Sequence, residues 1–262
     1  MNGGNPWHGY SWRLIDGEPQ PPAMHMALDE VLTRRVGARE RSPTLRFWRW
    51  TAPTVVLGRF QSVRNEVDEE AARDYGIRLV RRMTGGGAMF VEPENVITYS
   101  IYAPPELVAG MSSVDSYAFL DEWVIEALRS LGIDAWYEPI NDITSSDGKI
   151  GGAAQARRPG AVLHHVTMSY EMDAVKMLKV LRIGQEKISD KAIQSVEKRV
   201  GPLRRQTQLP REEIIGHMIS TFAERNTEGG LAEDSISSEE FAEAEELERT
   251  KYATREWTYI IR

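Results

Sequence analysis

Hydrophobic and polar positions alternate at two different periods along this chain, and the switches between them divide it into elements. Apolar residues recur at helical spacing in Met24, Leu28, Val31 and Leu32, which predicts a helix over Met24–Val36 with Gly37 as its stop. A longer stripe at 117, 120, 124, 127, 128 and 131 predicts a helix over Val114–Leu131, with Ser113 as N-cap and Gly132 closing it. Short runs of β-branched and aromatic residues predict strands at Ser11–Ile15, Thr44–Trp50, Thr54–Leu57, Ile77–Arg82, Asn95–Ala103 and Ala135–Tyr137. A short helix over Val67–Tyr75 lies between the third and fourth of these. Further on, Lys149–Gln155 and Val162–Tyr170 read as the arms of a hairpin turning at Arg157-Arg158-Pro159-Gly160. Helices are predicted at Ala174–Leu181, Arg211–Glu224 and Ser238–Lys251. Between the first two, Gly184–Gln208 is polar and basic and reads as a surface excursion that could meet an acidic partner. Residues 1–224 are expected to form the main domain. Arg225–Ser237 is read as a polar linker, and the acidic C-terminal helix and tail are expected to pack back on that domain.

Two stretches interrupt the patterning and carry candidate chemistry. The first is Arg81-Arg82-Met83-Thr84-Gly85-Gly86-Gly87-Ala88. Three consecutive glycines forfeit side-chain packing at a large entropic cost, more than a strand-to-strand turn needs. They suit a place where backbone lies directly against a ligand, and Arg82 beside them suits phosphate or carboxylate. The string is not a Walker loop, since no Gly-Lys-Ser/Thr follows, and Phe90 stands where the dinucleotide fingerprint needs its last glycine. The second stretch runs from Asn141-Asp142 to Lys149-Ile150-Gly151-Gly152-Ala153-Ala154. Its small residues leave a groove beside the strand, with Lys149 at the end to meet an anion. His164 and His165 point to opposite faces of their strand, so one is expected to line the groove and the other to be structural. The pair Asp29-Glu30 could be a carboxylate pair for metal or substrate, but is read in preference as a solvated helix face.

Composition narrows the class. The 262 residues fit one large domain, or one domain with a small appendage. A net charge of −7 argues against nucleic acid as partner. Cys is absent, which removes disulfides, thiolate metal sites and any cysteine nucleophile, and fits a reducing cytoplasm. No apolar run approaches the roughly 20 residues of a membrane span, and the N-terminus lacks a signal peptide's apolar core.

Taken in order, the motifs resemble the lipoate–protein ligase A family of the biotin/lipoate ligase superfamily. The resemblance rests on Met26-Ala27-Leu28-Asp29-Glu30, Leu45-Arg46-Phe47-Trp48-Arg49, Gly58-Arg59-Phe60-Gln61, the Arg81–Ala88 stretch, Asn141-Asp142, Lys149–Ala154 and His165. It implies an α+β fold, a central mixed sheet flanked by helices. It implies ATP and Mg²⁺ as cofactors and lipoate as substrate. Lipoyl-AMP would form first, and a carrier-domain lysine, of the 2-oxoacid dehydrogenase E2 or glycine cleavage H protein type, would then take the acyl group. On the matching positions Lys149 would be catalytic. Arg49, Arg82, Gly85, Gly86, Gly87, Ala88, Met89, Phe90, Asn141, Asp142, Gly152, Ala153 and His165 would bind substrate or nucleotide, with Asp142 the residue to reach a Mg²⁺ ion. The family's His-Asp after the glycine run is replaced here by Val91-Glu92. A further C-terminal domain of roughly 90 residues, carried by complete ligases, is expected to be missing and a separate accessory subunit to be needed. Two alternatives stand beside this reading: a cysteine-independent octanoyl or lipoyl transferase, and a non-catalytic lipoate-binding regulator.

Overall fold

A computed structural model describes residues 5–182, 200–228 and 230–261. Its centre is an eight-stranded mixed sheet in the order β11-β1-β2-β6-β10-β9-β8-β7. These strands are β1 (Trp12–Asp16), β2 (Thr44–Trp48), β6 (Val96–Ala103), β7 (Ala135–Glu138), β8 (Asp142–Ser145), β9 (Gly148–Arg158), β10 (Ala161–Ser169) and β11 (Leu231–Glu233). The pairs β11–β1 and β1–β2 are parallel, and every pair from β2 to β7 is antiparallel. A second sheet of three strands, β4-β3-β5, holds β3 (Thr54–Leu57), β4 (Arg78–Arg81) and β5 (Met89–Val91).

All eight residues of β6 are buried, because helices cover the sheet on both faces. On one face α4 (Ser113–Ser130) and a helix over Arg211–Asn226 pack on the sheet through a cluster of Trp7, Trp12, Trp123 and Phe222, whose rings meet at 5.0–5.6 Å. On the other face lies α1 (Pro22–Gly37), with Pro22 at its first turn where a missing N–H costs nothing. The α1 residues Met24, Leu28 and Val31 share a core with Trp48, Trp50 and Tyr252.

The structure departs from the sequence reading in four places. Arg225–Ser237 is not merely a linker: β11 lies in it and pairs with β1, satisfying backbone groups that an open sheet edge would leave unpaired. The C-terminal helix ends at Leu247 and widens into a π-turn over Glu248–Tyr252, followed by a short helix at Arg255–Thr258. Its start is a capping box of Ser237 and Glu240, and the buried Glu240 carboxylate also accepts from Arg13 at 2.8 Å. The N-cap of α4 is Ser112, whose hydroxyl accepts the Asp115 N–H, and not Ser113. The helix expected over Val67–Tyr75 is confined to Glu69–Asp74, capped by Asp68, and a separate helical turn at Val63–Glu66 precedes it. Most of the basic excursion, 184–199, lies outside the described residues. The part that follows is ordered around Val200, bridged to Lys149, and a helical turn at Leu203–Gln206.

The β9–β10 hairpin is seated against the end of α1 at one point of close approach. Gly160 has φ +73°, and a Cβ there would lie 2.3 Å from the Gly37 carbonyl oxygen. Gly160→Ala is expected to cost about 1–3 kcal/mol through strain and overlap. Gly216→Ala, in an exposed helical position where a Cβ meets nothing within 4 Å, is expected to gain about 0.5–1 kcal/mol. Thermal denaturation should therefore move the two variants in opposite directions, by about 2–4 °C per kcal/mol.

Candidate active site

The hairpin, the glycine run and α1 enclose a cavity of about 330 Å³. One wall is β9, where Gly151, Gly152, Ala153 and Ala154 supply almost no bulk. Met26, Trp48, Val56 and Val96 make the apolar floor, and Gly86, Gly87, Ala88, Met89 and Phe90 make the opposite wall. Arg82, Asn141, Lys149 and His165 complete the lining among the predicted residues. Lys149 and the glycine run thus face one space, although 61 residues separate Lys149 from Ala88. Gly85, Asp142 and Arg49 are not on the cavity wall. Arg49 is bound to Asp16 at 3.0 Å and Glu212 at 2.6 Å.

Lys149 is half exposed, and its ammonium contacts the Asp142 carboxylate at 2.7 Å. A bulge between Ile143 and Thr144 shifts the β8–β9 register just before the Thr144–Lys149 pair. Asn141 Nδ2 donates to the Ala153 carbonyl at 2.5 Å, and the Ala153 N–H returns to the Asn141 carbonyl at 2.8 Å. This exchange fastens the β7–β8 turn to the small-residue strand. The sequence reading grouped Asn141-Asp142 and Lys149 in one stretch but predicted no strand β8 between them.

Arg82 is turned inward. Its guanidinium donates to the carbonyls of Gly85 (2.6 Å), Gly87 (2.9 Å) and Val56 (3.2 Å), and its Nε to Thr84 Oγ1 at 2.9 Å. Burial pulls its pKa down to about 10, so it keeps its charge at neutral pH. The arginine is the internal clamp of the loop it precedes. Gly86 takes φ +90°, and a Cβ on Gly58 would fall 2.0 Å from the Gly86 carbonyl oxygen. Close backbone stacking of two turns therefore accounts for part of the glycine run. Arg81, pointing the other way, donates to the carbonyls of Thr258 (2.6 Å) and Gly58 (2.7 Å). The Trp257 indole N–H returns to the Arg81 carbonyl at 2.9 Å.

Asp29 corrects the reading of a solvated acidic face. It is 2% exposed and accepts from Tyr102 Oη at 2.5 Å, Ser100 Oγ at 3.0 Å and His165 Nδ1 at 2.7 Å. Because the Asp29 carboxylate can only accept, the proton of the neutral ring is assigned to Nδ1, and Nε2 then accepts from the Thr84 hydroxyl at 2.8 Å. The signal for Asp29 was present in the sequence: it lies four residues after His25 and three after Met26 on the buried stripe of α1. Glu30, the next residue, is held by Lys251 and Tyr252. His164, on the opposite face of β10, contacts Asp121 at 2.7 Å.

Two carboxylates near the cavity are already engaged. Glu92 is paired with Lys176 at 2.5 Å, and Asp142 with Lys149. Among the described residues no group of three or more His, Asp or Glu side chains is placed to hold a metal ion. No helix among them is long and apolar enough to cross a membrane.

A mixed sheet flanked by helices, with a glycine-rich loop and a lysine facing across an apolar cleft, defines the α+β catalytic domain of lipoate–protein ligases. The family model described as the lipoyl protein ligase A/B catalytic domain matches residues 21–223, and the chain belongs to that family. Among curated proteins it is 29% identical to Octanoyltransferase LipM of Geobacillus kaustophilus (strain HTA426), over 95% of this chain and 98% of the relative. Among solved structures it resembles a bi-partite lipoate protein ligase, studied with its E2 lipoyl domain, from Thermoplasma acidophilum. That match has a TM-score of 0.83 and 30% identity, and covers 97% of this chain and 98% of the other. A lipoate-protein ligase A bound with ATP matches at a TM-score of 0.81 and 29% identity, over 95% and 98% of the two chains. The protein is an enzyme of lipoyl-protein modification.

Two buried histidines set a pH dependence. Burial lowers the pKa of His165 against the pull of Asp29, and burial followed by Arg46 holds His25 well below its ordinary value. Below about pH 6.5 the unfolded chain protonates these rings before the native protein does, so stability falls as pH drops. Urea midpoints measured from pH 7 to 5.5 should fall, and His165→Asn should show a shallower slope across that window.

Proposed function

We propose that the protein joins a lipoyl-class acyl chain to the ε-amine of a lysine on a lipoyl carrier domain, taking the acyl group from an acyl-adenylate. The observation that carries the reading is the two-part cavity in a chain without cysteine. Its apolar floor and small-residue wall suit an aliphatic chain, and Lys149 with the Gly86–Ala88 backbone suits an anionic head. In the activation step a lipoate carboxylate oxygen attacks the α-phosphorus of ATP and pyrophosphate leaves. In the transfer step the carrier amine attacks the acyl carbon, AMP leaves, and the amine gives up a proton. Lys149, parting from Asp142, would neutralise charge on the carbonyl and phosphate oxygens as it builds up. Mg²⁺ would be held largely by the nucleotide phosphates, since Asp142 and Glu92 are already paired with lysines. The carrier is of the E2 lipoyl-domain type, a reading supported by the partner named with the Thermoplasma protein. The bi-partite description of that protein supports a second polypeptide that assists activation.

A second reading is favoured by the names of the curated relatives, which are octanoyltransferases at similar identity. In that reading the carrier lysine attacks an octanoyl or lipoyl thioester held on another carrier. Transfer through an enzyme-bound thioester needs a cysteine thiolate, which this chain cannot provide.

An apo lipoyl domain should be incubated with the protein and, separately, lipoate plus MgATP, synthetic lipoyl-AMP, or an octanoyl carrier-protein thioester, with products read by mass spectrometry. Transfer from lipoyl-AMP is expected to be fastest, transfer from MgATP slow until the second polypeptide is added, and transfer from the thioester absent. Modification from the thioester alone would replace the ligase reading with the transferase. Lys149→Ala should slow transfer from lipoyl-AMP by about 10²–10³-fold. A rate equal to wild type in a folded variant would remove Lys149 from the mechanism.

A further inference from the structure

Thr84, His165 and Asp29 stand in the order hydroxyl, imidazole and carboxylate, with separations of 2.8 and 2.7 Å. In hydrolases this arrangement activates a hydroxyl nucleophile. In an acyl-handling chain without cysteine, Thr84 is therefore the natural candidate for an acylated residue. Its surroundings direct it elsewhere. Thr84 is 1% exposed and is not part of the cavity wall, so its oxygen cannot approach an acyl carbon within attacking distance. That oxygen also accepts from Arg82 Nε at 2.9 Å while its proton goes to His165.

The hydroxyl instead joins two rigid bodies. On one side Arg82 holds the carbonyls of Gly85 and Gly87, and the Thr84 carbonyl receives the Arg59 N–H at 2.8 Å. On the other side His165 is fixed to Asp29, and Asp29 to Ser100 and Tyr102 of the sheet. We infer that Thr84 is a positioning residue which, with His165 and Asp29 behind it, fixes the glycine loop to the central sheet at the distance the acyl-adenylate requires. This rests on the adenylate reading above, and the loop's attachment can be measured without it.

The test compares Thr84→Val, which keeps the shape and loses the hydroxyl, with Thr84→Ser, which restores it. Amide exchange at Arg59 and Arg82, whose N–H groups bond the Thr84 and Leu57 carbonyls, reports the loop's attachment without turnover. Steady-state transfer from lipoyl-AMP to an apo lipoyl domain reports its use. Loss of one buried hydrogen bond is expected to speed exchange about tenfold in Thr84→Val and to raise KM for lipoyl-AMP about tenfold, with kcat changed little. Thr84→Ser should behave as wild type, and Asp29→Asn should move both readouts in the same direction as Thr84→Val. Unchanged exchange and KM in Thr84→Val would overturn the proposal. So would an acyl ester found on the wild-type enzyme by intact mass and lost in Thr84→Val, since Thr84 would then be the nucleophile. Faster exchange in Thr84→Val, with a wild type that cannot use lipoyl-AMP, would support the attachment and sink the adenylate reading alone.

Discussion

The carboxylate of Asp29 is buried under a helix, where an unpaired charge would cost several kcal/mol. It is tolerated because three donors from two neighbouring strands of the sheet converge on it: Ser100 and Tyr102 from β6, and His165 from β10. Arg46 of β2 adds a like-buried cation at 3.9 Å. These groups meet only when α1 lies at one height and one rotation over the sheet. The requirement spreads outward through the second nitrogen of His165 to Thr84, and so to the glycine loop. It also spreads through Arg46 to His25, whose ring stacks on Trp48 in the cavity floor. One helix residue thereby sets the spacing between the floor of the cavity and its glycine-rich wall.

The paired arginines divide the work of holding that wall. Because adjacent strand residues point to opposite faces, Arg82 reaches into the loop and Arg81 reaches out to the C-terminal segment. Each spends its charge on backbone carbonyls, which would otherwise be buried without partners. Trp257 closes the outer contact by donating to Arg81, and Arg59 lies 4.4 Å over the Trp257 ring. The glycine run is thus stiffened from both sides although its residues supply no side chains. A loop of this kind can offer N–H groups to an anion without the cost of ordering them at the moment of binding.

Lys149 stands on the cavity wall as a half-exposed cation paired with Asp142. The absence of cysteine bears on the chemistry more than the resemblance to any one relative does. Ligase and transferase relatives match this chain at similar identity. What separates the two chemistries is the atom that carries the acyl group before the carrier lysine receives it. This chain has no cysteine, so only a route through an acyl group held on the enzyme's own sulfur is closed to it.

Much of this was legible from local pattern. The two long helices, the β9–β10 hairpin and the glycine run announce themselves through periodicity or its loss, because those signals depend on near neighbours in the chain. Lys149, with four small residues after it, also identified one wall of the cavity by composition alone. Other features depended on partners far away in sequence. Asp29 read locally as part of a solvated face, and only the packing of α1 on the sheet turned it inward. Arg82 read as a ligand for phosphate, and only the fold of its own loop committed its donors to carbonyls. β11 was hidden in a polar linker because what makes it a strand is the free edge of β1, more than 200 residues earlier. The sequence by itself determined which groups could do acyl chemistry and which could not. The tertiary structure decided which charges face the cavity and which hold it open, since that choice depends on burial and on hydrogen-bond partners brought together only by folding.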